Sequence, residues 1–487
     1  MNLPTPARFG ALAFCLWLPL ACATQAQGAP RAADLARPTE AHLRILARTD
    51  DFSGVVLIAR DGVPVFRKAY GFSNLADRVP NREDTKFNIA SMGKMFTAVA
   101  IMQLMESGRL SLDEKVGKYL PDYPNVAVRD SVTIRQLLTH TSGMGNFWEP
   151  LDKRAKEQFR TTADYLPLFV DQALLFAPGS SFAYSNSGYM VLGLILERVT
   201  GVSYCDYVKE HIYKPAGMKD TDAYELDYVV PNLATGYSRS TDRPGQWTSN
   251  TYVNVVKGGP AGGSFSTADD LLAFANALMH FKLLSPQDTS ELTTGKVPYG
   301  SRMYAYGFTE EISGGHRLIG HGGGNAGIAD ELMIFTDLGY TAIVLTNGDV
   351  DNFWDIQAFI KKRLLGSTPD IESYYFTKGV IDAALKSGYE AGIAALNDKP
   401  KAIAVRGGLI EQGGNRLLAE GRNDDAITVF RLNEFAHPED SSVYANLAEA
   451  HSRAGHRDQA IELYKKYLGL EPDDAKAAEK LKELTAK

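Results

Sequence analysis

The sequence predicts an α+β fold, an antiparallel sheet flanked by helices, followed by an all-α tail. Two observations predict it. Strand patterns stand at both ends of residues 45–365 with helical patterns between, so one sheet draws on both ends of that unit. Residues 403–487 then repeat with a period of 34. A length of 487 residues suits about two to four units. Hydrophobic residues at 45% and charged residues at 22% fit a folded globular chain. A net charge of −7 without basic runs argues against nucleic acid as a partner.

The N-terminal elements come first. Arg8, the apolar stretch from Phe9 to Ala21 and the small residues after it have the order of a secretory signal peptide, residues 1–27. The apolar run is short for a bilayer span. The expected location is periplasmic or secreted. A membrane anchor and a lipoprotein through Cys22 are the competing readings, the second weakened by Pro19. Cleavage after Cys22 would leave Cys205 alone, with no intrachain disulfide to form. Residues 28–44, rich in Ala, Arg and Pro, read as a linker.

Within residues 45–365, Phe52 to Ala59 reads as a buried strand. Asp61-Gly62 is a hairpin turn, and Val63 to Tyr70 is the returning strand. A long helix runs from Ser91 through Met105. Another covers Tyr189 to Val199 and stops at Gly201. Strands are expected to open at Tyr306-Gly307-Phe308 and at Arg317-Leu318-Ile319. Two more cover Glu331 to Phe335 and Thr341 to Leu345, and a helix from Trp354 to Leu365 closes the unit. Residues 366–402 read as a helical linker, with Val380 to Leu396 as a degenerate pair capping the tail.

In the tail, Gly421, Ala426, Phe430 and Pro438 recur as Gly455, Ala460, Tyr464 and Pro472. The period and pattern resemble tetratricopeptide repeats, helix-turn-helix units in which a small Ala admits a neighbouring helix and Pro ends the second one. Gly413 and Gly414 make the first unit the poorer match. Two repeats are few for a free solenoid. They are expected to lean on the preceding unit, to pair between copies or to hold a protein partner.

Three motifs carry chemistry. Ser91-Met92-Gly93-Lys94 is the one Ser-x-x-Lys in the chain, and it opens an apolar helix. Residues three apart share a helix face, so Ser91 Oγ meets the Lys94 amine. A serine needs a base to become a nucleophile, and a buried lysine can supply one. Tyr184-Ser185-Asn186 is the second motif. It lies between a Pro178-Gly179 turn and an apolar helix. The Tyr184 phenol can relay a proton to a leaving group, and the Asn186 amide can bind a substrate carbonyl. Tyr-x-Asn triplets also begin at Tyr123, Tyr252 and Tyr444. Of these, Tyr444 belongs to the repeat and Tyr252 is a competitor for the role. The third motif is His321-Gly322-Gly323-Gly324, after an apolar strand. Bare glycines there let a substrate approach the backbone, and His321 can position or protonate it near neutral pH. No G-x-S-x-G elbow, metal-ligand cluster or nucleotide-binding fingerprint stands out.

In this order the motifs resemble those of the class C β-lactamase and D-alanyl-D-alanine carboxypeptidase family, as do the stretches Leu137 to Met144, Pro178 to Tyr189 and Gly262 to Thr267. The resemblance covers residues 45–365 and implies a serine hydrolase with Ser91, Lys94 and Tyr184 as catalytic residues. Asn186, His321, Gly322, Gly323 and Gly324 would bind substrate. Backbone N–H groups of Ser91 and of the strand near Gly324 would hold an oxyanion, with no metal or cofactor. The expected substrate is an ester, an amide or a D-amino-acid peptide. Enzymes of this kind that act on β-lactams carry Lys where this chain has His321, so weak β-lactamase activity is expected. The alternative is a catalytically weak penicillin-binding or sensor protein that uses its repeats to recruit a partner.

Overall fold

The computed structural model describes residues 32–48, 52–240, 243, 245–348 and 353–486. The signal-peptide reading, with Cys15 and Cys22, lies outside them. No described helix is long and apolar enough to cross a membrane.

Eight strands form one antiparallel sheet. They are β1 (Gly54–Arg60), β2 (Val63–Tyr70), β3 (Val297–Tyr299), β4 (Arg302–Tyr304), β5 (Thr309–Ser313), β6 (His316–Asn325), β7 (Ile328–Phe335) and β8 (Tyr340–Thr346). Their spatial order is β2-β1-β8-β7-β6-β5-β4-β3, so strands from the two ends of the unit, β1 and β8, pair side by side within one sheet. The β1 sequence is apolar at successive positions because both faces of the sheet are covered. Val55, Leu57 and Ala59 face one core, Val56 and Ile58 the other. Asp61 and Gly62 both take positive φ, which closes the β1–β2 hairpin tightly. The expected strand at Tyr306-Gly307-Phe308 is instead a bend, and β5 opens at Thr309. Gly307 has φ +65°, and a Cβ there would meet the Lys94 carbonyl oxygen at 2.5 Å. Close packing on the helix that carries Lys94 sets this bend.

The inner core holds α2 (Gly93–Glu106), α3 (Asn186–Thr200) and α4 (Ala268–Met279). Helix α2 is buried on nearly every side, which explains its unbroken apolar sequence. The outer core holds α1 (Ala32–Arg48) and α5 (Phe353–Leu365). Helix α1 corrects the linker expected over residues 28–44. Despite Pro38, Leu35, Leu43 and Leu46 share a buried face against the sheet.

The tail is helical throughout: α6 (Pro369–Ser387), α7 (Tyr389–Asn397), α8 (Gly407–Ala419), α9 (Asn423–Ala436), α10 (Ser442–Arg453), α11 (Arg457–Leu470) and α12 (Ala475–Thr485). The turns after α8 and α10 each use a left-handed glycine, Gly421 at φ +75° and Gly455 at φ +79°. Ala426 and Ala460 are fully buried, as the period requires. Gly414, which weakened the first repeat as a pattern, has a packing role. A Cβ there would lie 2.3 Å from the Phe430 ring. Asp355 on α5 ties the tail to the body. Its carboxylate meets Lys378 at 3.0 Å and the Tyr374 hydroxyl at 3.2 Å on α6, and His42 of α1 at 2.8 Å. Burial raises its pKa, but His42 and Lys378 outweigh burial and hold it at about 2.

Candidate active site

Ser91 sits on a single 3-10 turn, Ala90–Met92, that leads into α2. The segment before it is pinned from several sides. Ile89 N–H donates to the Ser264 carbonyl at 2.9 Å, Gly263 N–H to the Ala90 carbonyl at 3.1 Å, and Ala90 N–H to Asn88 Oδ1 at 2.9 Å. Ala90 is held at φ +40°, a strained value for a non-glycine residue. Strand β6 presses on the same segment. A Cβ on Gly323 would lie 2.4 Å from the Ile89 carbonyl oxygen, so only glycine lets the strand and the Ser91 turn approach.

Lys94 lies one turn beyond Ser91 and is wholly buried. Its Nζ is 3.2 Å from Ser91 Oγ, 2.7 Å from Asn186 Oδ1 and 2.5 Å from the Ala261 carbonyl. The rings of Tyr184 and Tyr189 lie 4.9 and 5.4 Å from it. Burial pulls its pKa well below the usual lysine value. A neutral amine has two N–H bonds and one lone pair. Asn186 and Ala261 can only accept, so they take the two hydrogens. The lone pair is left for the Ser91 hydroxyl.

Tyr184 reaches the site from the loop before α3. Its hydroxyl is buried without a hydrogen-bond partner. Burial raises the phenol's pKa, and Ser91 is the neighbour that favours its ionised form. Asn186 is engaged at both ends of its amide, Oδ1 on Lys94 and Nδ2 on Asn146 Oδ1 at 2.9 Å. The amide nitrogen carries two hydrogens, so Nδ2 keeps one besides that given to Asn146, and Asn186, which lines the smaller space beside Ser91, also positions Lys94. Tyr252 is 89% exposed, which removes it as a competitor for Tyr184. The Tyr444 hydroxyl donates to the Pro438 carbonyl within the tail.

His321 departs most from expectation. It is buried, with Nδ1 2.6 Å from the Gly322 carbonyl and Nε2 3.0 Å from the Tyr304 hydroxyl. A carbonyl only accepts, so Nδ1 carries the proton and Tyr304 donates to Nε2. Burial, and then the nearby Lys94, lower its pKa to about 3. It is neutral near pH 7 with both nitrogens occupied, so it does not protonate substrate there. Its place is to fix Tyr304, whose ring packs on His140 and Tyr184.

Three residues here escaped the sequence reading of roles. His140, at φ +58°, accepts the Ser185 N–H on Nδ1 at 3.1 Å and the Ala183 N–H on its carbonyl at 3.0 Å, which fixes the loop bearing Tyr184. Asn146 donates to the Tyr184 carbonyl at 2.8 Å and accepts the Asn186 N–H at 2.8 Å. Tyr304 joins these groups to His321. The motif around Leu137 to Met144 was the available signal for His140.

Two spaces meet at Ser91 and Gly324. One is a cleft of about 620 Å³, lined by Tyr184 and Gly322 to Gly324. The other is a slot of about 70 Å³, walled by Phe147, Trp148, Tyr165 and Met190. Among the described residues no cluster of His, Cys, Asp and Glu could hold a metal ion.

A family model described as Beta-lactamase matches residues 43–365, well over half of the chain. The chain belongs to the beta-lactamase family. This family member is 30% identical over 375 residues to a penicillin-binding protein of Bacillus subtilis (strain 168), covering 72% of this chain and 81% of that one. Its fold is similar to the crystal structure of a penicillin-binding protein from Bacillus halodurans. That match has a TM-score of 0.61 and 33% identity, over 66% of this chain and 98% of the other. A D-stereospecific amidohydrolase from Streptomyces matches with a TM-score of 0.58 and 26% identity, over 69% of this chain and all of the other. The family model ends where the helical tail begins.

The activity of this beta-lactamase-family protein is expected to fall as pH drops through the lowered pKa of Lys94. A lysine can act as a base only when deprotonated, and burial extends that state to lower pH. His321, at about 3, stays neutral over the same range. A pH profile of kcat/KM should keep its acid limb in His321→Gln. A limb that vanishes there would belong to the histidine instead.

Proposed function

We propose that this protein is a serine hydrolase that cleaves an ester, an amide or a D-amino-acid peptide through an acyl-enzyme on Ser91. The observation that carries the reading is the Lys94 amine, buried, tethered by two acceptors and 3.2 Å from Ser91 Oγ. Lys94 takes the hydroxyl proton as Ser91 Oγ bonds to the substrate carbonyl carbon. Backbone N–H groups of Ser91 and of the β6 edge near Gly324 hold the oxyanion. The Tyr184 phenol, kept protonated by burial, gives its proton to the departing oxygen or nitrogen. The proton on Lys94 then restores the phenol. Water, activated by the same amine, releases the acyl group and regenerates Ser91. The slot of about 70 Å³ suits a small apolar substituent next to the reacting carbonyl. The D-stereospecific amidohydrolase with the same fold supports amides as substrates. The signal-like residues 1–27 support export.

A fluorophosphonate probe tests the reading. A single adduct on the peptide that carries Ser91 is the expected result. A chain that takes up no label, where related hydrolases do, is the binding or sensor protein of the alternative, with its tetratricopeptide-like tail as the recruiting surface. On the cephalosporin nitrocefin, kcat/KM is expected to lie far below that of dedicated β-lactamases. The neutral His321 offers no cation to a substrate carboxylate. Turnover equal to theirs would overturn this.

A further inference from the structure

The large cleft does not end at the catalytic unit. From Ser91 it passes over the edge of β6 at Gly322 and Gly324 and reaches the tail, where Arg406 and Gln412 line it. The edge of β6 is bare for a physical reason. Gly323 packs inward on Ile89, so Gly322 and Gly324 face the other way along the strand. A Cβ on Gly322 would lie 2.6 Å from Glu331 Oε2, whereas one on Gly324 would meet only open space. The missing side chains leave a passage from the nucleophile to the helices of the tail.

The charges along this passage are matched. Arg302 lies 3.0 Å from both Glu311 and Glu331. Lys361 lies 2.7 Å from Glu311, and Arg406 pairs with Asp370. A charged substrate group would have to compete with these bonds. Three polar atoms of the lining lack a hydrogen-bond partner: the Tyr184 hydroxyl, Asp330 Oδ2 and, from the tail, Gln412 Oε1. Gln412 Oε1, on α8, is buried. An amide oxygen is an acceptor only, so it needs an N–H or O–H from something that enters the cleft. Trp354 and Tyr299, 39% and 40% exposed, supply aromatic surface beside the passage.

We propose that the tail is the far wall of the substrate cleft, and that an extended, uncharged amide chain crosses the bare β6 edge and donates one N–H to Gln412 Oε1. The inference rests on the hydrolase reading and adds a specificity residue from outside the family-matched region. It explains why the helices are docked against the catalytic unit. They complete a binding surface that β3 to β6 alone leaves open on one side.

The test uses the full chain, p-nitrophenyl acetate as a small substrate, and acetylated oligo-alanine amides of one to four residues as inhibitors. In the wild type, inhibition should tighten with length, by about tenfold once the chain reaches Gln412. Gln412→Ala should lose that gain while it hydrolyses p-nitrophenyl acetate as before. Gln412→Glu, which keeps an acceptor, should retain part of the gain. A length series that is flat in the wild type, or unchanged in Gln412→Ala, overturns the inference. So does an equal loss of p-nitrophenyl acetate hydrolysis, which marks Gln412 as structural. Binding of the same amides, read as a rise in melting temperature, tests the subsite even in a chain that takes no fluorophosphonate. Failure of the subsite and failure of the hydrolase reading therefore give different results.

Discussion

Ser91→Ala is expected to lower kcat/KM for p-nitrophenyl acetate by roughly 10⁴-fold, about 5.5 kcal/mol of transition-state stabilisation. The loss is large because no second hydroxyl shares the Lys94 lone pair. Asn186 and Ala261 occupy the amine's other directions with acceptors. A water molecule in the space left by Oγ would be a weaker and poorly aligned nucleophile. The fold should hardly respond. Ser91 is half-buried, and the backbone bonds that fix Ile89 and Ala90 do not involve its side chain. Melting within about 2 °C of wild type is the companion observation. A rate reduced only tenfold, in a chain that still melts normally, would place the nucleophile elsewhere.

Lys94→Met should remove about 10³-fold of kcat/KM and leave stability within roughly 1 kcal/mol of wild type. Activity and stability part company here for a physical reason. Lysine in this position is buried without a carboxylate partner among its contacts, so holding it there costs free energy. Methionine has nearly the same shape and no such cost. Against that gain, Asn186 Oδ1 and the Ala261 carbonyl each lose a donor, at about 1–2 kcal/mol apiece. The two effects nearly cancel. Lys94→Arg is the contrasting variant. Its guanidinium does not deprotonate and does not fit the same space, so it should lose both activity and stability. A Lys94→Met chain with near-normal turnover would remove the lysine from the mechanism. Thermal melting and kcat/KM on the same preparations check both halves.

The contact between Ser91 and Lys94 was legible because helix geometry joins residues three apart without help from the rest of the chain. Tyr184 was legible from its place between a turn and a helix. The residues that hold these groups were not. Asn146 acts on Tyr184 and Asn186 some forty positions away, and only the folded chain brings them together. His321 shows the same limit from the other side. Its residue type suggests a group that titrates near neutral pH, but burial and Tyr304 remove that property. In the fold, the strand pattern of β1, β7 and β8 was clear from their apolar runs. The helix α1 was hidden by its Ala, Arg and Pro content, although the spacing of Leu35, Leu43 and Leu46 carried its buried face. The bend at Gly307 answers to the backbone of Lys94, a contact that no local pattern records.

The junction at Asp355 also sets how the molecule comes apart. One carboxylate is shared by the first described helix, the last helix of the family-matched unit and the first of the tail. Helices α6 to α9 also share a continuous apolar cluster, whereas α11 and α12 rest on a much smaller one. Amide hydrogen exchange should therefore be graded along the tail. The helices next to Asp355 exchange together with the sheet in one cooperative opening. The terminal pair opens first and alone. A protease that nicks the tail would begin in α11 and α12 and stop before it reaches Gln412.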